Sequence, residues 1–432
     1  MEAAKLAIIA CVIFIIVYSV YRSIGIQLPQ FLYNAKSTTA RSTFPSVIAG
    51  NIGAGTIYGL YIFATKQPLF AISIAVSYVI GLMLAGLLAE RIRHACNDVK
   101  EVSLIGFIAE RHGIADQKIW IIWVSVSVVF LLQLAVEFLA VGDVVSYVFG
   151  IAKSESLLIV AGTVASYLVV GGYKSTTVSA HLQAPLVVGT LALIGFFILP
   201  VITHEPVVTL RVLSDTDRLL PVGAFFLIAP AVFLSIDNWH RIVAAESAHA
   251  ARNGFMLGAI LCGISYSVLL LAGIINGPGP VPTQGLMLLV PSVLQWIVPT
   301  VIVVAILSTV DTEIPPLVAG MPGSASSLAR ARAYTIILIS AVTLTALSLG
   351  TILQGIIAAF SSLAVFLPAT ASAILRRTNL EMPVLYGIPM SVSAAIFMTI
   401  FFGEYALAAS VVLSVVLYFG LAAIEKRMKT GA

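Results

Sequence analysis

Apolar stretches of about 20 residues recur along the whole chain, and short polar connections separate them. A helix rises about 1.5 Å per residue, so about 20 residues cross the roughly 30 Å hydrocarbon core of a bilayer. The pattern therefore predicts an all-α integral membrane protein with about thirteen transmembrane helices. The predicted spans are residues 4–22, 44–64, 68–90, 119–149, 156–170, 180–202, 220–240, 254–276, 287–314, 333–350, 354–375, 383–402 and 405–424.

The second predicted span is interrupted near the middle of the bilayer. Within residues 46–56, Gly50, Gly53 and Gly55 flank Asn51. Glycine weakens a helix and frees backbone carbonyls, which lipid cannot satisfy, so these groups must face protein or a ligand-holding cavity. Taken alone, the glycines could instead serve close packing between helices.

The seventh predicted span carries a second interruption, about 180 residues after the first. Pro230 removes one helix hydrogen bond, and Ser235 and Asp237 follow it. A carboxylate inside a membrane must face a cavity, a partner or an ion. Asp237 could be such a site residue or could pair with Arg241, four residues further on. Interrupted spans in corresponding positions of two halves are typical of an inverted-repeat transporter.

A third segment, residues 304–311 in the ninth predicted span, adds two hydroxyl groups. Ser308 and Thr309 lie three and four residues after Ala305, so both hydroxyls flank the carbonyl of that residue in a helix. Carbonyls from a broken helix and two hydroxyls can surround a small hard cation such as Na⁺ without burying a charged side chain. The alternative is that both hydroxyls bond back to their own helix.

Composition supports a membrane protein and excludes other classes. Hydrophobic residues make up 60% of the chain and charged residues 10%, whereas soluble proteins carry about 25% charged residues. The mean hydropathy is +1.07. The loops form no basic patch for a nucleic acid, and we find no nucleophile–base pair or phosphate loop of an enzyme. Cys11, Cys96 and Cys262 have no spacing typical of a metal site or a disulfide.

The positions of Lys and Arg predict the orientation of the chain, because cytoplasmic loops are enriched in these residues. With the N-terminus outside and the C-terminus in the cytoplasm, 18 of the 23 Lys and Arg residues fall on the cytoplasmic side. The net charge of +4 therefore records topology rather than an acidic partner. We expect the protein to lie in a bacterial cytoplasmic membrane.

Five segments, in chain order, resemble motifs of the sodium:solute symporter family. Residues 49–54 are similar to the family's Ala-x-Asn-Ile-Ser-Ala stretch, and residues 305–311 to its Ala-x-x-Ser-Thr-x-Asp motif. The other matching segments are 103–113, 171–174 followed by Gln183, and 240–245. The resemblance covers nearly the whole chain. It implies a LeuT-like 5+5 inverted repeat with one extra N-terminal and two extra C-terminal helices.

The resemblance also implies a sodium site. Its ligands would be the backbone carbonyls of Ala49, Ile52 and Ala305 and the hydroxyls of Ser308 and Thr309.

Three positions depart from the family pattern. Ala180 replaces an Asp that is thought to lie on the ion's exit route, which leaves the release path and ion number open. Gly55 and Thr56 replace the Glu-Gln pair of sugar-transporting members, so a sugar is not expected. His240 replaces the usual Gln.

The expected organisation is one transmembrane domain over residues 1–432. Its expected parts are a leading helix and loop (1–43), a first five-helix repeat (44–202), a second five-helix repeat (220–375) and two additional helices (383–424).

These observations predict a secondary active symporter that imports a small polar organic solute with Na⁺ by alternating access. We expect the solute to be amine-, amide- or amino-acid-like. The residues expected to contact it are Asn51, Gly55, Thr56, Gln133, Glu137, Ser235 and Asp237.

Two alternatives stay open. Protons could replace sodium, with Asp237, Glu137 or His181 titrating. The protein could also be a membrane sensor of a solute that transports nothing. The expected partners are the solute, the sodium ion and the lipid bilayer, with no nucleic acid, and the sequence does not fix the oligomeric state.

Overall fold

The computed structural model describes residues 1–97, 103–204, 219–349, 351–375 and 379–430, and it is helical almost throughout. Several basic residues used to predict the orientation lie outside this part of the chain. They are Lys100, Arg211, Arg218, Arg376 and Arg377. The hydrocarbon core of a membrane offers no water to backbone groups, so the backbone has to satisfy its own hydrogen bonds, and helices do this within one segment.

The helices before the long central connection are α1 (Glu2–Ser23), α2 (Leu28–Tyr33), α3 (Ala40–Asn51), α4 (Ala54–Lys66), α5 (Pro68–Leu87), α6 (Ala89–Asn97), α7 (Leu104–Arg111), α8 (Ile119–Phe149) and α9 (Lys153–His204). Those after it are α10 (Leu219–Phe233), α11 (Ile236–Ala244), α12 (Ala248–Asn276), α13 (Pro282–Leu288), α14 (Ile297–Ala319), α15 (Leu328–Ser348), α16 (Ile352–Leu363), α17 (Leu367–Leu375), α18 (Met382–Leu385), α19 (Gly387–Phe402) and α20 (Ala406–Thr430). Short 3-10 turns occupy Asn34–Lys36, Asp116–Lys118, Ser292–Leu294, Ser324–Ser326, Ala364–Phe366 and Gly403–Tyr405.

The described residues contain ten helices long and apolar enough to cross a membrane, or up to twelve if each of two bent pairs forms one span. The predicted count of thirteen is therefore not confirmed. The difference arises in α9, which contains two predicted spans in one 52-residue helical run. A straight helix of that length would measure about 78 Å, more than twice the hydrocarbon thickness. At Gly172 the backbone leaves the helical region, with φ 49° and ψ −137°, a conformation that glycine adopts readily.

Both predicted interruptions are present. Helices α3 and α4 meet at an angle of 51°, because Ile52 (φ −119°, ψ 74°) and Gly53 (φ −116°, ψ −160°) leave the helical region. Helices α10 and α11 meet at 43°. Pro230 itself stays inside α10, and the second break falls four to five residues later, before Ile236.

The two interrupted spans are joined at one end. Thr38, just before α3, donates its backbone N–H to Ala244 at 3.1 Å and accepts from the N–H of Glu246 at 2.9 Å. This makes a parallel bridge between Thr38 and Ala245, the one isolated bridge in the part of the chain that the structure describes. Arg93 Nη1 donates to three carbonyls at the end of α11, at 2.5–3.1 Å, and so satisfies groups that a helix end leaves free.

Helix α14 lies at the centre of the molecule, since Val298–Val318 is buried throughout. It packs against α3, α8 and α9. A helix that is covered on every side must satisfy its polar side chains within the protein. The polar residues of α14 therefore define the interior site described next.

Candidate functional site

The hydroxyls of α14 meet the broken end of α3. Ser308 Oγ lies 2.7 Å from the carbonyl oxygen of Ala49 and 2.6 Å from that of Ala305. Thr309 Oγ1 lies 3.3 Å from both carbonyls. Ala49 is in the last turn of α3, where the break removes the next helical turn and leaves carbonyls without helix partners. Each hydroxyl thus contacts a carbonyl of its own helix, that of Ala305, and a carbonyl at the break, that of Ala49.

Four of the five predicted sodium ligands therefore converge. Two carbonyl oxygens and two hydroxyl oxygens lie together at 0–3% exposure. The fifth, Ile52, directly follows the last residue of α3, and it is fully buried. Neutral oxygens of this kind are the ligands that hard cations prefer. Among the described residues, no three His, Cys, Asp or Glu side chains could hold a metal ion together.

Glu137 of α8 caps the second half of the broken span. Its Oε2 accepts from the backbone N–H of Ala54 at 2.7 Å, and its Oε1 from that of Gly55 at 3.3 Å. These N–H groups open α4 and have no partner within their own helix. A Cβ at Gly53 would lie 2.5 Å from Thr309 Oγ1 and 2.7 Å from Glu137 Oε2. Glycine is therefore required there for the carboxylate, the hydroxyl and the break to approach one another.

Gln133, one turn before Glu137, binds a second buried acid. Its Nε2 donates to Glu313 Oε1 at 2.5 Å, and Glu313 is 1% exposed. The other carboxylate oxygen of Glu313 has no hydrogen-bond partner among the described residues. Sequence analysis did not single out Glu313. A signal was present, because Glu313 lies four residues after Thr309 and so shares a face of α14 with it.

Asn51 connects the two breaks. Its Nδ2 donates to Val47 O at 2.7 Å and to Asn238 Oδ1, just after the second break, at 3.2 Å. The hydroxyl of Tyr78 donates to Asn51 Oδ1 at 3.2 Å. Tyr266 donates to the carbonyl of Asn51 at 2.6 Å, which satisfies a group that the break exposes. The interrupted segments are thus held by side chains from two further helices.

Asp237 is paired, which favours the second of the two interpretations of its sequence position. Arg241 Nη1 donates to its Oδ2 at 2.5 Å, and Ser235 Oγ donates to its Oδ1. Arg241 also donates to Ser46 Oγ at 3.1 Å and to Asn238 Oδ1 at 2.8 Å. Because the guanidinium balances this carboxylate, Asp237 does not offer a free negative charge to a solute.

A small cavity lies beside the first break. Five of the seven residues predicted to contact the solute line it, together with the rings of Tyr78 and Phe360. The five are Asn51, Gly55, Thr56, Gln133 and Glu137. Ser235 and Asp237 are not among the residues that line it. The cavity volume is about 30 Å³, so an organic solute would require these segments to move apart.

Three further positions from the sequence analysis are His181, His240 and Ala180, the last of which replaces an acid of the family. His181 is exposed and lies 3.0 Å from Ser42 Oγ, outside the cavity. His240 is buried and donates through Nε2 to Leu32 O at 2.9 Å. Next to Ala180, the Ser179 hydroxyl donates to Asp311 Oδ2 at 2.9 Å. An acid is thus present beside position 180, but α14 supplies it.

Comparison with solved structures shows the fold. The chain is similar to a Na⁺-coupled sialic acid symporter in a substrate-bound, outward-open state, with a TM-score of 0.77, 13% identity and 98% of each chain covered. It is also similar to Mhp1, a nucleobase-cation-symport-1 family transporter with bromovinylhydantoin bound, with a TM-score of 0.58, 10% identity and 92% and 95% of the two chains covered. A manganese transporter of Eremococcus coleocola gives a TM-score of 0.52 at 15% identity, over 91% of this chain and 93% of that one.

These similarities confirm the predicted all-α, LeuT-like transporter fold. No protein-family model matches the chain, and no curated protein matches it in sequence. All three structural neighbours are transporters, not enzymes. Membership of the sodium:solute symporter family stays a prediction from the five motif segments.

Proposed function

We propose that this protein is a sodium-coupled secondary active symporter, of the sodium:solute symporter type, that imports a small polar organic solute. The observation that carries the proposal is the contact between the hydroxyls of Ser308 and Thr309 and the carbonyl oxygen of Ala49 at the first break. With the carbonyls of Ile52 and Ala305, these groups would bind Na⁺. Their oxygens would replace the water molecules around the ion.

The sodium site and the cavity share elements, which supports coupling between ion and solute. Thr309 lines the cavity, and Gly53 lies against both Thr309 and Glu137. An ion that fixes the two halves of the broken span would therefore also fix the residues around the solute. Binding one ligand would then lower the cost of ordering the site for the other.

One sodium ion per cycle supplies enough driving force. A membrane potential of about 100 mV contributes roughly 2.3 kcal/mol per charge. A tenfold sodium gradient adds about 1.4 kcal/mol. The sum supports accumulation of a neutral solute by several hundred-fold. We propose an orientation with the N-terminus outside and the C-terminus in the cytoplasm, in a bacterial cytoplasmic membrane.

Two neighbouring structures support an organic solute, since one was determined for a sialic acid symporter and the other with bromovinylhydantoin bound. In this chain the cavity offers an amide, a hydroxyl and a carboxylate, from Gln133, Thr56 and Glu137. These groups suit an amine- or amide-like solute better than an apolar one.

Proton coupling is the second candidate, and one observation favours it. Glu313 is buried with an unpartnered carboxylate oxygen, and its bonded neighbour Gln133 carries no charge. A buried carboxylate without a cation tends to be neutralised by a proton. Proton uptake by Glu313 or Glu137 during the cycle would then drive transport in place of sodium.

Uptake into proteoliposomes tests sodium against proton coupling. A thermal-shift screen of amines, amides, ureides, amino acids and carboxylates, with and without Na⁺, first supplies the solute. A sodium gradient at equal pH should then drive accumulation, and Ser308→Ala/Thr309→Ala should abolish it. Ser125→Ala is the matched control, because Ser125 is buried and, among the described residues, its Oγ bonds only within its own helix, to Ile121 O at 2.9 Å. Accumulation driven by a pH gradient alone, unchanged in the double variant, would reject sodium coupling.

A further inference from the structure

We propose that the cavity beside the first break selects a positively charged solute, an organic ammonium, amidinium or guanidinium ion, with Glu137 as its counter-ion. The inference rests on the proposed function, since it takes this cavity as the solute site. It goes further, because it sets the charge of the solute and excludes carboxylates. Three independent features of the site support it.

The first feature is the position of Glu137 at the start of α4. Free N–H groups at a helix N-terminus form a natural binding site for an anion. Here the carboxylate of Glu137 already accepts from the N–H groups of Ala54 and Gly55. A carboxylate of the solute would find these donors taken and would be repelled by the charge of Glu137. The same charge, still facing the cavity, attracts a cation.

The second feature is the balance of buried charge. Glu137 and Glu313 are 3% and 1% exposed, and no Lys or Arg is among the described residues that line the cavity. The buried guanidinium of Arg241 is bonded to Asp237 and so is already balanced. Buried carboxylates require a cation or a proton. Asp311, a third buried carboxylate, accepts hydrogen bonds from the hydroxyls of Tyr167 and Ser179 and does not line the cavity. One sodium ion at the first break would balance one of the other two carboxylates, and a cationic solute would balance the second.

The third feature is aromatic. The rings of Tyr78 and Phe360 both line the cavity, with centroids 6.3 Å apart and planes at 82°. Aromatic faces attract ammonium and guanidinium groups, which are larger and more weakly hydrated than Na⁺. Gln133 adds an amide oxygen that can accept a hydrogen bond from such a group. An inorganic cation would gain little from these rings, so they indicate an organic one.

Three small molecules of nearly equal shape but different charge test the inference. Acetamidinium, acetamide and acetate each have four heavy atoms and carry a positive charge, no charge and a negative charge. The unfolding temperature of the purified full-length protein is measured against the concentration of each probe, in Na⁺ and in K⁺ buffers. We expect acetamidinium to stabilise the protein at a concentration at least about tenfold lower than acetamide or acetate requires.

Two variants locate the effect. Glu137→Gln should remove the preference for acetamidinium over acetamide. Phe360→Leu leaves the hydrogen bonds of Glu137 to the start of α4 intact and should weaken the acetamidinium response several-fold. It therefore tests the inference if Glu137→Gln does not fold. Glu155→Gln is the matched control, because Glu155 also accepts from a backbone N–H beside a helix start, that of Ala152 at 3.2 Å, but on an exposed surface. This control should respond like the unmodified protein.

The inference is overturned if acetamide or acetate stabilises the protein as well as acetamidinium does, or if acetamidinium has no effect. It is also overturned if the preference survives in both Glu137→Gln and Phe360→Leu. Failure of the proposed function has a different signature. In that case Na⁺ alone would fail to raise the unfolding temperature relative to K⁺, whatever the response to the three probes.

Discussion

Asn51 Nδ2 lies 3.2 Å from Asn238 Oδ1, so the two interrupted spans are joined by side chains within a few residues of both breaks. Both side chains are buried, at 3% and 0% exposure. The same spans are joined again through Thr38 and Ala245. These two connections favour movement of the two interrupted spans as one rigid body, which the proposed alternating access requires.

Asn51→Ala should destabilise the protein by about 1–3 kcal/mol, because it removes the acceptor of the half-buried Tyr78 hydroxyl and one of the partners of Asn238, which in the described part of the chain keeps only Val232 O and Arg241. Unfolding in detergent, followed by tryptophan fluorescence, measures the loss. Asn253→Ala is the control, since Asn253 is exposed and bonds only to His249 among the described residues. Equal stability of the two variants would argue against a connection between the spans.

Gly53→Ala should abolish sodium binding while Gly59→Ala retains it. A Cβ at position 53 would meet Thr309 Oγ1 at 2.5 Å and Glu137 Oε2 at 2.7 Å, so one of these groups must shift. A Cβ at position 59 meets Ile356 at 3.6 Å, which is ordinary contact. Both glycines lie on the same interrupted span, so the pair separates crowding at the site from a general effect of alanine. Comparable sodium affinity in the two variants would contradict the proposed geometry.

The Asp237–Arg241 pair should behave as a unit. Asp237→Asn or Arg241→Gln alone leaves one charge buried without its partner, at a cost of about 3–5 kcal/mol. The double variant should cost less than the sum of the two, because neither charge then remains. A double-mutant cycle on the free energy of unfolding measures this coupling.

Additive losses in that cycle would show that the two side chains act independently. If a solute bound less tightly to Asp237→Asn than to the unmodified protein, but with unchanged affinity to Arg241→Gln, that result would support Asp237 as a solute ligand. Its carboxylate would then be contacted by the solute after the site opens.

Cys96 should react slowly with maleimides although it lies outside the membrane-spanning helices. Burial raises the pKa of its thiol from 9.0 to about 12, so little thiolate exists near neutral pH. In a Cys11→Ala/Cys262→Ala background, labelling of Cys96 should be at least about tenfold slower than labelling of a cysteine introduced at exposed Ser326. Because the folded-state pKa is raised, the stability that the neutral thiol contributes is present below pH 9 and is lost as the pH rises toward 12. Equal labelling rates would contradict burial of this thiol.

The features that could be predicted from sequence are those that depend on local spacing. The glycines around Asn51 and Pro230 predicted two breaks, and both are present, the second four to five residues after Pro230. Ser308 and Thr309 follow Ala305 by three and four residues, and their hydroxyls contact its carbonyl as the helix repeat requires. The contact of the same hydroxyls with Ala49 was implied by the family motifs.

The features that could not be predicted depend on how distant helices pack. Glu137 caps α4 across 83 positions of sequence, and Gln133 reaches Glu313 across 180. Spacing gives the face of a helix on which a side chain lies but not the helix that covers it. For Asp237 the sequence allowed both a cavity and a pairing with Arg241; the pair forms within α11, as the four-residue spacing allows, and a role of Asp237 as a solute ligand stays a prediction. The span count depended on how the chain passes Gly172: Lys174 and the hydroxyl residues after it favour a connection between two spans, whereas the backbone bends at Gly172 within one helical run.

Direct measurement of ²²Na⁺ binding to the purified protein tests the central claim, that backbone carbonyls at the first break and the hydroxyls of Ser308 and Thr309 hold a sodium ion. We predict saturable binding in the unmodified protein and in Ser125→Ala, and affinity at least about tenfold lower in Ser308→Ala/Thr309→Ala. Binding of equal affinity in the double variant, when that variant unfolds at the same temperature as the control, would contradict the account.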